Sequence, residues 1–288
     1  MHYIEAKTIL SAKNGMNLYR GCTHGCIYCD SRSDCYGMDH EFEDIAVKSN
    51  AIELLEDALR RKRKPCMIGT GSMCDPYMHC EEKLELTRRA LEVIDKYNCG
   101  VTVITKSDRI LRDIDLYERV NSHSKAVIQM TLTTADENLC RIIEPNVCTA
   151  SRRYEVLKEF QKRGIPTVVW FCPILPYIND TVKNLNEILD YCFDAGVKGI
   201  INFGFGVTLR AGNREYFYRK LDEYFPGMKE RYVHRFGDSY ECASENSAAL
   251  WKVFTDRCRK AGVMTLPDEI FAYLREYPIK NEQLSLFD

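Results

Sequence analysis

Apolar residues recur along this chain in two alternating rhythms. Residues 48–64 place Ile52, Leu55 and Leu59 on one helical face and end in the basic run RRKRK at 60–64. A compact apolar strand, CMIGT, follows from Cys66, then a helical pattern from about Glu81 to Lys96. GVTVITK at 100–106 is a β-branched strand, RILRDIDLYERV a helix, and KAVIQMTLTT at 125–134 the next strand. Residues 150–163 predict a helix and IPTVVWFCPI a strand. Residues 181–195 predict a helix that aligns Val182, Leu185, Ile188, Leu189 and Cys192, and VKGIINFGFG at 197–206 closes the series. These strands are continuous apolar runs, not alternations, so both faces should be buried, as in a parallel sheet with helical crossovers. With one further strand placed near Asn17 to Arg20, six are expected. That count predicts an α/β fold, a partial (β/α)6 TIM-type barrel, with an open doubly wound sheet as the alternative.

After Gly206 the pattern changes to a region rich in aromatics and charges, with no clear strand, followed by a helix at 245–261. It reads as a helical C-terminal extension over 207–278, packed on a barrel of residues 1–206, with a flexible tail at 279–288. Composition adds limits. The chain has 288 residues and a net charge of −2, enough for one large domain and too balanced for a purely electrostatic nucleic-acid binder. MHYIEAKTILSAKNG has no apolar leader region, and VVWFCPILPYI, from Val168, is too short to span a bilayer. A soluble, cytoplasmic protein is expected. Fourteen cysteines in such a chain do not look like a disulfide framework.

The chemistry concentrates in NLYRGCTHGCIYCDSRSDCYGM, residues 17–38, whose loop at 21–38 carries Cys22, Cys26 and Cys29 at C-x-x-x-C-x-x-C spacing. Three readings fit three thiols. Structural zinc wants four closed ligands, and His24 or His40 would have to supply the last. An iron–sulfur cubane held by three thiolates leaves one iron without a protein ligand. Three ordinary core cysteines are the plainest reading, but a polar, Gly-rich loop gives a buried thiol no reason to sit there.

C-x-x-x-C-x-aromatic-C, with Tyr28 at the aromatic position and alternating β and α after it, resembles the signature of the radical S-adenosylmethionine (SAM) superfamily. GTGSMCDPY at 69–77, TK at 105–106, TLTT at 131–134 and EP at 144–145 further resemble the spore photoproduct lyase family, over about Asn17 to Phe205. The resemblance implies a [4Fe-4S] cluster on Cys22, Cys26 and Cys29, whose open iron is chelated by SAM. Reductive cleavage of SAM, with electrons from a separate donor, would then produce a 5′-deoxyadenosyl radical. It further implies Ser72 on the amino group of SAM, Lys106 on its carboxylate, and Tyr28 and Thr131 as cofactor contacts. A lysine is a compact cation suited to a carboxylate. That family returns a hydrogen atom from a cysteine. Here the neighbouring cysteine is Cys74, not at the family's offset, just ahead of Asp75 and Pro76, which read as a strand terminator and helix cap.

The expected substrate is a damaged base in DNA, with RNA or peptide modification, or a non-enzymatic metal-stabilised binding module, as alternatives. In the tail, Gln283, Leu284, Ser285, Leu286 and Phe287 resemble the motif by which bacterial repair proteins dock on the DNA sliding clamp. RRKRK reads as a solvated helix end. Arg152, Arg153, Arg210, Arg214 and Arg219 are candidates for a phosphate-binding rim.

Overall fold

A computed structural model describes residues 1–278. The chain opens with β1 (His2–Ile4), β2 (Gly15–Met16), β3 (Tyr19–Arg20) and β4 (Ala46–Lys48), the cysteine loop lying between β3 and β4. Alternation follows: α1 (Ala51–Arg60), β5 (Met67–Thr70), α2 (Glu81–Leu84), α3 (Leu86–Lys96), β6 (Gly100–Thr105), α4 (Ile114–His123), β7 (Ala126–Thr131), α5 (Glu137–Ile143), α6 (Ala150–Lys162), β8 (Thr167–Trp170), α7 (Val182–Asp194) and β9 (Gly199–Ile201). The remainder adds β10 (Gly206–Thr208), α8 (Asn213–Tyr224), α9 (Met228–Phe236), β11 (Glu241–Ala243), α10 (Ser247–Ala261) and α11 (Pro267–Arg275). The tail residues Gln283 to Phe287 lie outside the described residues.

Six parallel strands form one sheet in the order β2-β5-β6-β7-β8-β9. The sheet does not close, since β2 and β9 are its two margins, so the architecture is a partial barrel. β7 is buried at every position, as its unbroken apolar run requires. Crossover helices cover the outer face: α7 buries Leu185, Ile188, Leu189 and Cys192, and each large aliphatic side chain contributes roughly 1.5–3 kcal/mol by leaving water. On the inner face, Ile270 and Leu274 of α11 pack against Val127, Val168 and Ile201.

Three expectations need correction. The strand at 17–20 does not join the main sheet: β3 pairs antiparallel with β4, which pairs parallel with β1, and the first barrel strand is the two-residue β2. A two-residue strand has no period to read. The helix expected over 81–96 breaks at Glu85, whose φ of +47° lies in the left-handed region. The strandless reading of the C-terminal region also fails, because β10 and β11 form an antiparallel pair. That pair and α8 and α9 pack Val207, Phe217, Leu221, Tyr232 and Cys242 against Cys26, Ile27 and Tyr28. The extension therefore forms one wall of the cysteine loop. No described helix is long and apolar enough to cross a membrane.

Candidate active site

The cysteine loop is held by its backbone. The Cys22 amide donates to the Phe42 carbonyl at 3.0 Å, the Ile27 amide to Ile143 at 3.0 Å, and the Asn146 amide to His24 at 3.1 Å. Asn146 Nδ2 adds a bond to the Thr23 carbonyl at 2.8 Å. Gly25, at φ +71°, lets the loop lie on Pro145, whose Cγ would stand 3.1 Å from an added Cβ. Arg32 is sandwiched between the rings of Phe42 and Tyr216, 4.3 and 3.7 Å from their centroids, which ties the loop to α8. Cys22 and Cys26 are only 9% and 7% exposed, and Cys29 is half-buried. Burial pushes the Cys26 thiol up to about 12, against the pull of the Lys106 ammonium.

The opposite wall comes from the C-terminal ends of β5, β6 and β7, where barrel enzymes place their chemistry. Gly71, at φ +96°, brings the β5 end so close to β6 that an added Cβ would meet the Ile104 carbonyl at 2.0 Å. Ser72 and Cys74 follow it. Lys106 follows β6 and Thr131 ends β7. Cys22, Cys26, Cys29, Tyr28, Ser72, Cys74, Lys106 and Thr131 line one cleft. Lys106 Nζ stands 5.8 Å from the Tyr28 ring centroid, and among the described residues it has no carboxylate at ion-pair distance. Burial works against its charge, but the thiol of Cys26 and the carboxylate of Glu144 more than offset that, so it stays a cation. Cys74 Sγ, 6% exposed, donates to the Tyr19 carbonyl at 3.3 Å, and burial pushes it up to about 12, so it is a neutral thiol near pH 7.

Asp75 is no helix cap. Its carboxylate accepts from the Tyr77 amide at 2.8 Å, Thr105 Oγ1 at 2.7 Å and the Lys106 amide at 2.8 Å, and His24 Nδ1 lies 3.3 Å away. Burial would raise this group, yet the imidazole and the converging donors hold it at about 2. It pins the cysteine loop to the end of β6. Arg153 is likewise no part of a rim. Fully buried, it pairs with Glu144 at 2.6 Å and donates to the Thr131 carbonyl at 3.0 Å and the Cys148 carbonyl at 2.9 Å. The Tyr28 hydroxyl donates to the same Glu144. Arg214 is taken up by the carbonyls of Leu209, Gly237, Asp238 and Ser239, and Arg152 by Asp108 and Glu155. Sequence reasoning missed this Tyr28–Glu144–Arg153 relay; the EP dipeptide was its only trace.

The residues present fit an iron–sulfur cluster better than a single ion. Among the described residues, one set of three donor groups lies within 4.8 Å of one another, and it is His2, His40 and Asp44. Cys22, Cys26 and Cys29 are not such a set, so at least one pair of their sulfurs stands wider than the ~3.8 Å that ~2.3 Å bonds to one tetrahedral zinc would impose. A cubane puts each thiolate on a different iron and needs the wider spacing. His40 stands with His2 and Asp44, not with the cysteines, and His24 Nδ1 faces Asp75, which leaves His24 Nε2 buried and unpartnered.

Comparison with known proteins adds the family. An uncharacterized protein of Mycobacterium tuberculosis is 27% identical over 225 residues, 75% of this chain and 65% of that protein, so the match spans just under two thirds of the relative. An uncharacterized protein of Methanocaldococcus jannaschii is 28% identical over 247 residues, 85% of each chain. The structure of spore photoproduct lyase complexed with dinucleoside spore photoproduct superposes with a TM-score of 0.64 at 13% identity, over 90% of this chain and 78% of that one, which shows a shared fold. Residues 16–192, from the first barrel strand into α7, match the radical SAM superfamily. With that match carried by the strands that build the cleft, this chain belongs to the radical SAM superfamily, a group whose members bind a [4Fe-4S] cluster and S-adenosylmethionine.

Proposed function

We propose that Cys22, Cys26 and Cys29 ligate the cluster, that Lys106 takes the SAM carboxylate, and that Ser72, Thr131 and Tyr28 complete the cofactor contacts. The substrate in this reading is a damaged base of DNA, repaired by lyase-type chemistry as in the photoproduct lyases. The bound pair supplies one-electron chemistry that removes a hydrogen atom from the substrate, given an external reductant. The chain's own residues do the rest. Asp75 and the Glu144–Arg153 pair fix the two walls against each other, and Lys106 offers a half-buried cation with no carboxylate at ion-pair distance among the described residues. Cys74 keeps an intact S–H bond at the cleft for return of a hydrogen atom.

The observation that carries the choice of a base is an aromatic wall on the side of the sheet that Thr131 faces. In register, Thr131 of β7 pairs with Trp170 of β8, and Trp170 with Ile201 of β9, so all three point to the same side. Trp170 Nε1 donates to Gln129 Oε1 at 2.8 Å, which fixes its ring. Two residues beyond Ile201, Phe203 is 61% exposed, 5.8 Å from the Trp170 centroid, and stacked at 6.2 Å on Phe271. An exposed phenylalanine backed by two rings is a surface on which a planar base stacks. A duplex base would have to leave its stack to reach it.

Incubated anaerobically with SAM, a reductant and lesion-bearing DNA, the enzyme is expected to form 5′-deoxyadenosine carrying deuterium from one labelled base position. Transfer from RNA or a peptide instead would move the activity to that substrate class. Phe203→Ala is expected to weaken single-stranded DNA binding by about 5- to 150-fold, the scale of one lost base stack. Fluorescence anisotropy on labelled oligonucleotide reads this directly, and an unchanged affinity removes the aromatic wall from the binding site.

A further inference from the structure

We propose that His2, His40 and Asp44 form a site for one zinc-class divalent cation, apart from the cysteine cleft. Their donor atoms lie within 4.8 Å of one another, and no role in the radical chemistry uses them. His40 carries the decisive detail. Its Nδ1 is 3.0 Å from the Glu41 carbonyl, which can only accept, so Nδ1 bears the proton and Nε2 presents a bare lone pair. That Nε2 is buried without a hydrogen-bond partner, the nearest acid being Asp39 at 4.0 Å. A buried lone pair with no donor is costly unless something fills it. A ring nitrogen freed by a carbonyl bond to its partner nitrogen is also how proteins present histidine to a metal.

The other two groups stand beside His40. The His2 and His40 rings meet edge to face at 4.8 Å, and His2 Nδ1 lies 2.9 Å from Asp44 Oδ2. Two imidazoles and a carboxylate suit zinc or a neighbouring transition metal, not calcium or magnesium. Bonds of about 2.0–2.2 Å set such donors roughly 3.4 Å apart, so side-chain rotation closes the set. The Met1 amino group, 2.5 Å from Asp44 Oδ1, is the competitor that a cation would displace.

The location gives the site a consequence. His2 begins β1, and His40 and Asp44 flank the turn before β4, whose Phe42 carbonyl receives the Cys22 amide. A cation there staples β1 to the turn that seats the first cysteine of the loop.

The full chain with its iron–sulfur cluster in place is titrated with zinc against a chromophoric chelator. One zinc per chain is expected. His40→Ala and the near-isosteric Asp44→Asn should each weaken it by more than about tenfold, with iron content unchanged. Zinc should also raise the unfolding midpoint of the parent and not of either variant. Asp44→Asn keeps the test standing if His40→Ala misfolds. Zinc binding equal in parent and variants, or lost on replacing Cys22 and not on replacing His40, overturns the proposal. Neither result depends on DNA or on SAM cleavage.

Discussion

Cys26→Ala is expected to emerge from anaerobic reconstitution without a [4Fe-4S] cluster and to cleave SAM at background rate, a loss on the order of 10³-fold or more. In the folded chain the Cys26 thiol is buried and pushed up to about 12, so in the proposed ligand set it would need the positive charge of a bound iron to become a thiolate near neutral pH. Its two companions cannot define the vacant iron alone. The fold itself should persist. Cys26 packs among Ile27, Tyr28, Ile143 and Phe217, where truncation to alanine removes a single sulfur from contact. Loop anchoring runs through the backbone of Cys22, Ile27 and His24, which the substitution leaves alone. Iron and acid-labile sulfide analysis beside a thermal melt separates the two effects. A variant that retains full iron would remove Cys26 from the ligand set and with it the assignment of the loop.

Arg153→Met should destabilise the protein by about 3–5 kcal/mol, as when one partner of a buried ion pair is deleted. The methionine fills most of the space but leaves the Glu144 carboxylate without its ion-pair partner and the carbonyls of Thr131 and Cys148 without their Arg153 donor. The sign of the pH dependence distinguishes this cause from simple cavity formation. In the parent, burial would raise Glu144, but Arg153 and then Lys106 hold it below the ordinary carboxylate range. Without Arg153, burial prevails and the folded-state value rises above the unfolded one. Protonation of Glu144 then favours the folded state, so the deficit should shrink as pH falls and widen as pH rises through the shifted value. Urea titrations of the cluster-loaded protein at two pH values read this. A deficit independent of pH would assign the loss to packing. Adding Glu144→Gln should restore part of the stability, because the buried charge leaves with its partner.

The barrel strands of 100–105 and 126–131 were legible because burial on both faces forces an unbroken apolar run. That the three cysteines share one cleft was legible because their spacing is local to one loop. Tyr28, Ser72, Lys106 and Thr131 became candidates only through likeness to a family; the last three share a cleft because each follows or ends a strand at the same side of one sheet, and Tyr28 reaches it from the cysteine loop. Arg153 was misplaced for a physical reason. An arginine reads as surface by composition, and nothing in its neighbours Arg152 and Tyr154 shows that Glu144 waits inside. The two-residue strand at Gly15–Met16 and the pair β10–β11 were invisible because so few residues carry no rhythm.

Local order along the chain thus determined the alternating architecture, the thiol loop and the strand ends that face it, since hydrophobic period and ligand spacing are properties of neighbouring residues. Tertiary structure alone decided that Asp75 binds His24, that Glu144 neutralises Arg153 behind Tyr28, and that His2 meets His40 and Asp44. Those partners are separated by tens of residues or more, or lie across unpatterned turns. Pairing charges and lone pairs inside a protein depends on which segments exclude water together, a quantity that no stretch of sequence contains by itself.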